Sequence, residues 1–423
     1  MNKNTVKSKK NNPSADAAEF AVREKLRYQS FDLDGVKTSG HDRSYLNAIV
    51  FGADSSGQSY LDIGSYLGYF CVEALKRGAH SATGIEPDAE SVRQAATLAG
   101  FAGVSPRYLH GDFEEWDFGS EQFDVVLCLN VLHHMFDAIG AINKMKRLAR
   151  KKIVIEFASP SLRDLLYRSL NPFAVLANAV PAVILGNPKK NTDIASRSFL
   201  FTAKAMKVLF EKHTCAFEPL AITRSPFKGR LLLEARRRDL GHVTFVAGPT
   251  SSGKSTLFGS LLADAALRRK YGLEEGEWRG VHGHEIDLPP GRSDRVFVHY
   301  DMLRPYRRSI RAFNRDPRCD LLGAAERTSV VTVMVAPDLL RHQLLKAASV
   351  TNPSGLGERH KDIYERSADR EFLGAWYESW FTYLGRYQDK MAGSKILVRN
   401  NSGSEKIIAA SDWRPAFNAL YGD

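Results

Sequence analysis

Residues 246–257 read VAGPTSSGKSTL. An apolar run ends at Gly248. Gly253, Lys254, Ser255 and Thr256 follow after four intervening residues, and a helix-forming segment comes next. Glycine is needed where backbone must bend sharply and approach a ligand without a Cβ in the way. The amides of such a loop, and of the helix it opens, point at one place and collect an anion there. The spacing G-x-x-x-x-G-K-[ST] is met in full, with Ser252 inside the loop. Lys254 is then placed to neutralise β and γ phosphates, and Ser255 to offer a hydroxyl to Mg2+. A chain with this stretch must run strand, tight loop, helix, which commits the region to layered α/β structure.

The same order recurs twice over. In the first half, apolar strands are expected at 59–64, 81–87, 106–112, 123–130 and 151–157, most of them separated by helix-length segments. A helix at 202–213 and two further strands, FEPLAITRS and GRLLLEARR, close that sheet as a hairpin. Alternation restarts at 242–248 and continues at 295–301, 329–337 and 395–400, with a surface loop expected at 271–294. Strand–helix alternation implies parallel sheets covered on both faces. The 423 residues exceed one ordinary core. The fold class is therefore α/β with two doubly wound, mostly parallel sheets. The expected division is a disordered basic tail at 1–20, a first domain at 21–237 with an insert at 158–198, and a second domain at 238–423.

Composition narrows the partners. The net charge of +11 is spread over both halves, which suits anionic small ligands and leaves nucleic acid open without favouring it. Four isolated cysteines give neither a disulfide framework nor a zinc site, and fit a reducing cytoplasm. The longest apolar run, 171–186, is broken by Pro181 and is shorter than the ~20 residues of a membrane span. It is expected to act as a cover segment, with peripheral membrane contact as the alternative.

The stretch SYLDIGSYLGYF (59–70) is a second cradle. Asp62 ends a strand, and Gly64, Ser65 and Gly68 make the turn into a helix. Glu86 ends the next strand, where a carboxylate accepts the hydroxyls of a ribose. Asp112 and Phe113 end the third strand and can bond an adenine amine and pack on its face. Asn130, His133 and His134 follow the fourth strand at the pocket mouth. The glycine spacing is not the G-x-G-x-x-G of a dinucleotide site.

With these four strand ends in order, residues 40–237 resemble the class I S-adenosylmethionine-dependent methyltransferases, a Rossmann-like fold. The resemblance implies that Asp62, Gly64 and Gly68 hold the methionine end of the cofactor and Glu86 its ribose. Residues 27–44 are similar to the stretch preceding the cofactor motif in relatives of tRNA wobble-uridine modifiers, which offers Tyr28, Gly40 and Arg43 as contacts. His133 or His134 is the candidate general base, with Glu156 and Asp137 as substitutes, and packing is the alternative role for one histidine. Insert residues Arg163, Asp164, Arg168, Lys189, Lys190 and Arg197 are expected to cover the acceptor.

The second half resembles small P-loop kinases over about 241–400. That resemblance implies ATP and Mg2+ as ligands. It gives Asp301 the role of orienting and deprotonating the acceptor hydroxyl or, with Ser255, of holding magnesium, and Arg304, Arg307 and Arg308 that of anion contacts. Asp338 and Arg341 lie in a further matching segment. Arg359, Arg366 and Arg370 would sit in a closing lid. The aromatics at 376–384 fall at helical spacing and are expected in the core. The combined expectation is a bifunctional enzyme that methylates and phosphorylates a common small-molecule or glycan acceptor. RNA-end modification, and a methyltransferase with a non-catalytic ATP-binding domain, are the alternatives.

Overall fold

The computed structural model describes residues 13–24, 26, 29–33, 36–37, 40–53, 55–160, 180–186, 198–227, 229–282, 288–302, 313, 316–351, 364–366 and 369–422. The chain divides into two compact units, residues 1–209 with 219–237, and residues 238–423 with 210–218.

In the first unit the main strands are β1 (Ser59–Ile63), β2 (Ser81–Glu86), β3 (Arg107–His110), β4 (Phe123–Leu129), β5 (Ala149–Ala158), β6 (Ala221–Arg224) and β7 (Arg230–Arg236). They form one sheet in the order β6-β7-β5-β4-β1-β2-β3. Neighbours from β5 to β3 are parallel, while β7 runs antiparallel to both β5 and β6. Every residue of β1 and β4 is buried, as expected of strands covered on both faces. From β1 the chain moves outward to β2 and β3, then returns to the other side at β4. That reversal opens a crevice beyond the carboxyl ends of β1 and β4, the usual ligand position in such sheets. Asp88 and Asp137 start the two following helices by accepting Ser91 N–H and Gly140 N–H, each at 2.9 Å.

In the second unit β8 (Leu240–Gly248), β9 (Arg279–Val281), β10 (Ser293–Asp301), β11 (Ala325–Val335), β12 (Met391–Arg399) and β13 (Glu405–Ala409) form a sheet in the order β9-β10-β8-β11-β12-β13. All pairs are parallel except β12 with β13. The central β8 is buried along its whole length, so residues 248–253 leave the middle of the sheet. The helix Arg370–Leu384 packs Trp376, Tyr377, Trp380 and Tyr383 into the core, the role its aromatic spacing predicts.

Three expectations need correction. The tail expected over 1–20 is helical from Pro13 to Arg23, and its Phe20 is buried with its ring 5.8 Å from that of Phe101. The loop expected over 271–294 contains β9 and buries Tyr271, Leu273, Trp278 and Leu288, with Trp278 stacked on Phe297 at 4.3 Å. Residues 210–218 group with the second unit, where Cys215 enters the core beside Leu240 and Ala216 C=O accepts Arg238 N–H at 2.8 Å. In each case apolar residues too irregularly spaced for a pattern are claimed by tertiary packing. Among the described residues, no helix is long and apolar enough to cross a membrane.

Candidate functional sites

A cavity of about 480 Å³ opens at the crevice of the first unit. Asp62, Gly64, Glu86, Asn130 and His134 line it, together with Arg43 from the preceding segment. The bend after β1 is tightly fitted. Gly68 has φ +78°, and a Cβ there would lie 2.0 Å from Tyr108 Oη. Gly68→Ala is therefore expected to displace Tyr108 and to lower stability by roughly 2 kcal/mol. A melting temperature equal to that of the parent would refute this. Among the described residues, the three non-glycine positions with positive φ are Tyr66, Asn130 and Ser251. Two of them line this cavity and the third lies in the loop after β8. Strained backbone of this kind persists where surrounding structure holds it for a purpose.

Burial raises the pKa of both carboxyls at the cavity. Burial pushes the Asp62 carboxyl up to about 7, opposed by Arg43 and reinforced by Glu86. Glu86 is also raised by burial, while its two acceptor bonds, from Tyr66 N–H at 3.0 Å and Asp88 N–H at 3.3 Å, act against that. Behind Arg43 lies a polar knot centred on Glu156, which is fully buried. It accepts Arg43 Nη2 at 3.1 Å, Tyr45 Oη at 3.2 Å and Ser225 Oγ at 2.5 Å. Glu156 therefore positions Arg43 and cannot meet an acceptor as a base. Asp137 is likewise committed as a helix cap. The histidines divide: His134 lines the cavity, while His133 is buried beneath it with Nδ1 3.3 Å from Arg230 Nη1. The rings are 3.9 Å apart. Burial, then Arg230, lowers the His134 pKa, so its imidazole is neutral and able to accept a proton.

Other expected contacts lie elsewhere. Asp112 accepts Glu114 N–H at 2.8 Å in a turn, and Phe113 is buried with Lys144 Nζ 4.9 Å from its ring centroid; neither lines the cavity. Ser65 is buried, and its Oγ has no hydrogen-bond partner among the described residues. Gly40 sits against Gln29, whose backbone carbonyl a Cβ would meet at 2.6 Å. Sequence reasoning missed Gln29, Tyr66 and Phe70, which share the cavity; Tyr66 could have been suspected from its place inside the bend. Tyr28 and the insert residues Arg163, Asp164, Arg168, Lys189, Lys190 and Arg197 lie outside the described residues. The apolar run 171–186 is described only from residue 180, and there Val183–Gly186 pairs antiparallel with Ser198–Phe201.

The second unit builds its candidate site at the carboxyl end of β8. Gly248 N to Thr256 traces the loop into the helix Lys254–Ala263. Gly253 has φ +84°, and a Cβ there would come within 2.1 Å of Arg399 Nη1, which donates to Ser252 C=O at 3.0 Å. Lys254 is buried, donates to Pro249 C=O at 2.8 Å and lies 3.7 Å from Asp301 Oδ2. Asp301 Oδ2 also accepts Thr250 Oγ1 at 2.6 Å. Ser252 is fully buried, and its Oγ has no hydrogen-bond partner among the described residues. Ser255 Oγ lies 2.9 Å from His299 Nε2, a contact no motif pointed to. Burial, with Lys254 and His282 adding, pushes His299 down to about 4. An amide-lined loop with a buried lysine, a carboxylate and an exposed hydroxyl has the donor set for a polyphosphate and its cation.

The expected kinase accessories are less assembled. Arg304, Arg307, Arg308 and Arg359 lie outside the described residues. Arg366 stands over the Phe372 ring at 4.9 Å, and Arg370 opens the helix Arg370–Leu384 and donates to Asn418 Oδ1 at 3.3 Å. Arg370 is thus fixed to the body of the unit and not held in a lid. Asp338 accepts Asn401 Nδ2 at 3.2 Å and pairs loosely with Arg341 at 4.0 Å.

Residues 61–155 match the family model described as a methyltransferase domain. The tRNA U34 carboxymethyltransferase of Campylobacter curvus is 26% identical over 149 residues, covering 34% of this chain and 50% of that protein. The ubiquinone biosynthesis O-methyltransferase of Klebsiella pneumoniae is 28% identical over 142 residues, covering 33% and 58%. The chain thus spans about half the length of the curated relatives it matches. Among solved structures, magnesium protoporphyrin IX methyltransferase of Synechocystis with bound S-adenosylhomocysteine aligns over 55% of this chain and 90% of its own, at 16% identity and TM-score 0.35. The match to a methyltransferase domain thus falls within the first unit, over residues 61–155, and is the coarse part of the family resemblance.

Proposed function

We propose that the chain is a bifunctional transferase, with S-adenosylmethionine-dependent methyl transfer in the first unit and ATP-dependent phosphoryl transfer in the second. The observation that carries the first activity is the pair of carboxylates, Asp62 and Glu86, at the ends of adjacent strands on one cavity inside a methyltransferase domain. The residues present fit S-adenosylmethionine. A Cβ at Gly64 would meet Val131 Cγ2 at 2.5 Å, so the cradle leaves no room for a side chain there. When bound, the cofactor supplies an electrophilic methyl group. Asp62 would hold its ammonium group, Glu86 would accept from its ribose hydroxyls, and neutral His134 would take the proton of an acceptor hydroxyl. His133 and Arg230 orient His134 from behind.

The second activity is supported by the loop 248–256 at the middle of a parallel sheet, with Lys254 buried beside it. The orphaned Ser252 Oγ and the Gly253 cradle fit a nucleotide triphosphate. Lys254 would hold its phosphates, Ser255 its Mg2+, and Asp301 would orient the acceptor hydroxyl or join the cation. One acceptor shared by two transfers suggests a bacterial surface glycan end. RNA is the second reading, favoured by the likeness to a tRNA-modifying protein.

Calorimetry of the full chain with S-adenosylhomocysteine and with Mg·ATP tests both sites. Heat for neither ligand overturns the proposal. Cofactor labelled in its methyl group, and ATP labelled in its γ phosphate, offered to fractionated glycans and RNA then decide the acceptor; label confined to RNA removes the glycan. S-adenosylhomocysteine affinity is expected to rise with pH up to about 7 and level off above it, because the ligand ammonium favours ionised Asp62. Asp62→Asn is expected to weaken binding about tenfold and to flatten that profile. A profile unchanged in the variant would show that Asp62 does not face the ligand.

A further inference from the structure

We propose that His299 is a nitrogen ligand of the cation that accompanies the nucleotide, so that the second unit takes a divalent first-row transition ion in preference to Mg2+. The proposal rests on reading residues 248–256 as a triphosphate cradle. In that reading the Ser255 hydroxyl belongs to the cation, yet its Oγ lies against His299 Nε2 at 2.9 Å. Two ligands at adjacent corners of an octahedron with bonds of about 2.1 Å are about 3.0 Å apart. The Oγ–Nε2 separation matches that edge, so one ion can take both atoms in place of their hydrogen bond.

His299 and Asp301 are two positions apart on β10 and therefore share a face. The carboxylate is already engaged by Thr250 Oγ1 at 2.6 Å and by Lys254 Nζ at 3.7 Å. The imidazole is thus the group beside the Ser255 hydroxyl. Packing holds it there: the His282 ring stacks on it at 5.4 Å with 28° between planes, and Phe258 meets it edge-on at 5.7 Å. A ligand whose ring is fixed from behind keeps its direction when an ion arrives. Mg2+ prefers oxygen ligands and keeps its waters, whereas imidazole nitrogen raises affinity along the series from Mn2+ to Co2+.

The test is calorimetry of adenylyl imidodiphosphate binding to the full chain with Mg2+, Mn2+ or Co2+. Pulsed electron paramagnetic resonance of the Mn2+ complex accompanies it, on protein carrying 15N-histidine so that adenine nitrogens do not interfere. Nucleotide affinity is expected to be about tenfold higher or more with Co2+ than with Mg2+. The Mn2+ spectrum is expected to show 15N coupling, lost in His299→Gln, and His299→Asp is expected to bring Mg2+ close to Co2+. Nucleotide binding without 15N coupling in the parent protein overturns the proposal, whatever the variants do. Absence of nucleotide binding with all three ions overturns the triphosphate reading beneath it as well.

Discussion

Replacing Glu156 by alanine is expected to lower the stability of the first unit by about 3–5 kcal/mol. The side chain is fully buried and accepts from Arg43, Tyr45 and Ser225 at once. Arg43 is itself only 3% exposed, so the truncated protein would hold a guanidinium away from water without its counter-charge. Most of the loss comes from that stranded cation, since a buried pair gains little over well-packed apolar groups. The double replacement Arg43→Met with Glu156→Leu should therefore recover more than half of what Glu156→Ala loses. Native-state hydrogen exchange of the Ile153–Phe157 amides reads the loss within this unit, independently of the other. A loss below about 1 kcal/mol, or a double variant no better than the single one, would show that the charge balance is not what holds this strand.

This knot marks the limit of what the residues declare by themselves. Asp62 and Glu86 were legible because each lies at the end of an apolar run, Asp62 two residues before Gly64 and Glu86 directly before Pro87, and buried parallel strands show as such runs. Arg43 and Glu156 are 113 positions apart, and nothing local to either says that they meet. Glu156 looked like a catalytic base for the same reason that it is a structural carboxylate: it is a charged residue in the apolar end of its strand, Ile153–Ala158. The course of the β8 loop, from strand through a glycine bend into a helix, was legible because it is set by neighbouring residues. His299 was not, although its place two residues before Asp301 on the same strand face was a usable signal. Phe113 misled because an aromatic after a strand can turn to a ligand or to the core, and the core won through Phe118 and Lys144. The three-residue β9 was hidden by its arginine and glycine, which carry no strand preference.

Lys254→Ala is expected to weaken ATP binding by about 100-fold while S-adenosylhomocysteine binding stays at the parent level. Lys254 is placed by the helix it begins, with its ammonium held between Pro249 C=O and Asp301. Two effects add in the variant. The phosphates lose a charge-assisted donor in a water-poor setting, and the Asp301 carboxylate, 8% exposed, is left facing them as a repelling charge. Lys254→Ala with Asp301→Asn should therefore bind ATP better than Lys254→Ala alone. Titration calorimetry of the three proteins decides it. Equal ATP affinity in the parent and Lys254→Ala would place the phosphates elsewhere.

The outermost strands of the two sheets are short: four residues each in β3 and β6, three in β9 and five in β13. They also carry charge, including Arg107, Arg224, Arg279, Glu405 and Lys406. A brief, charged margin is a poor template for another chain to extend by backbone pairing. The molecule can thus keep two wide, apolar sheets in one polypeptide at high concentration without inviting fibrous growth, and lengthening β9 with β-branched residues would be the change most apt to undo that protection.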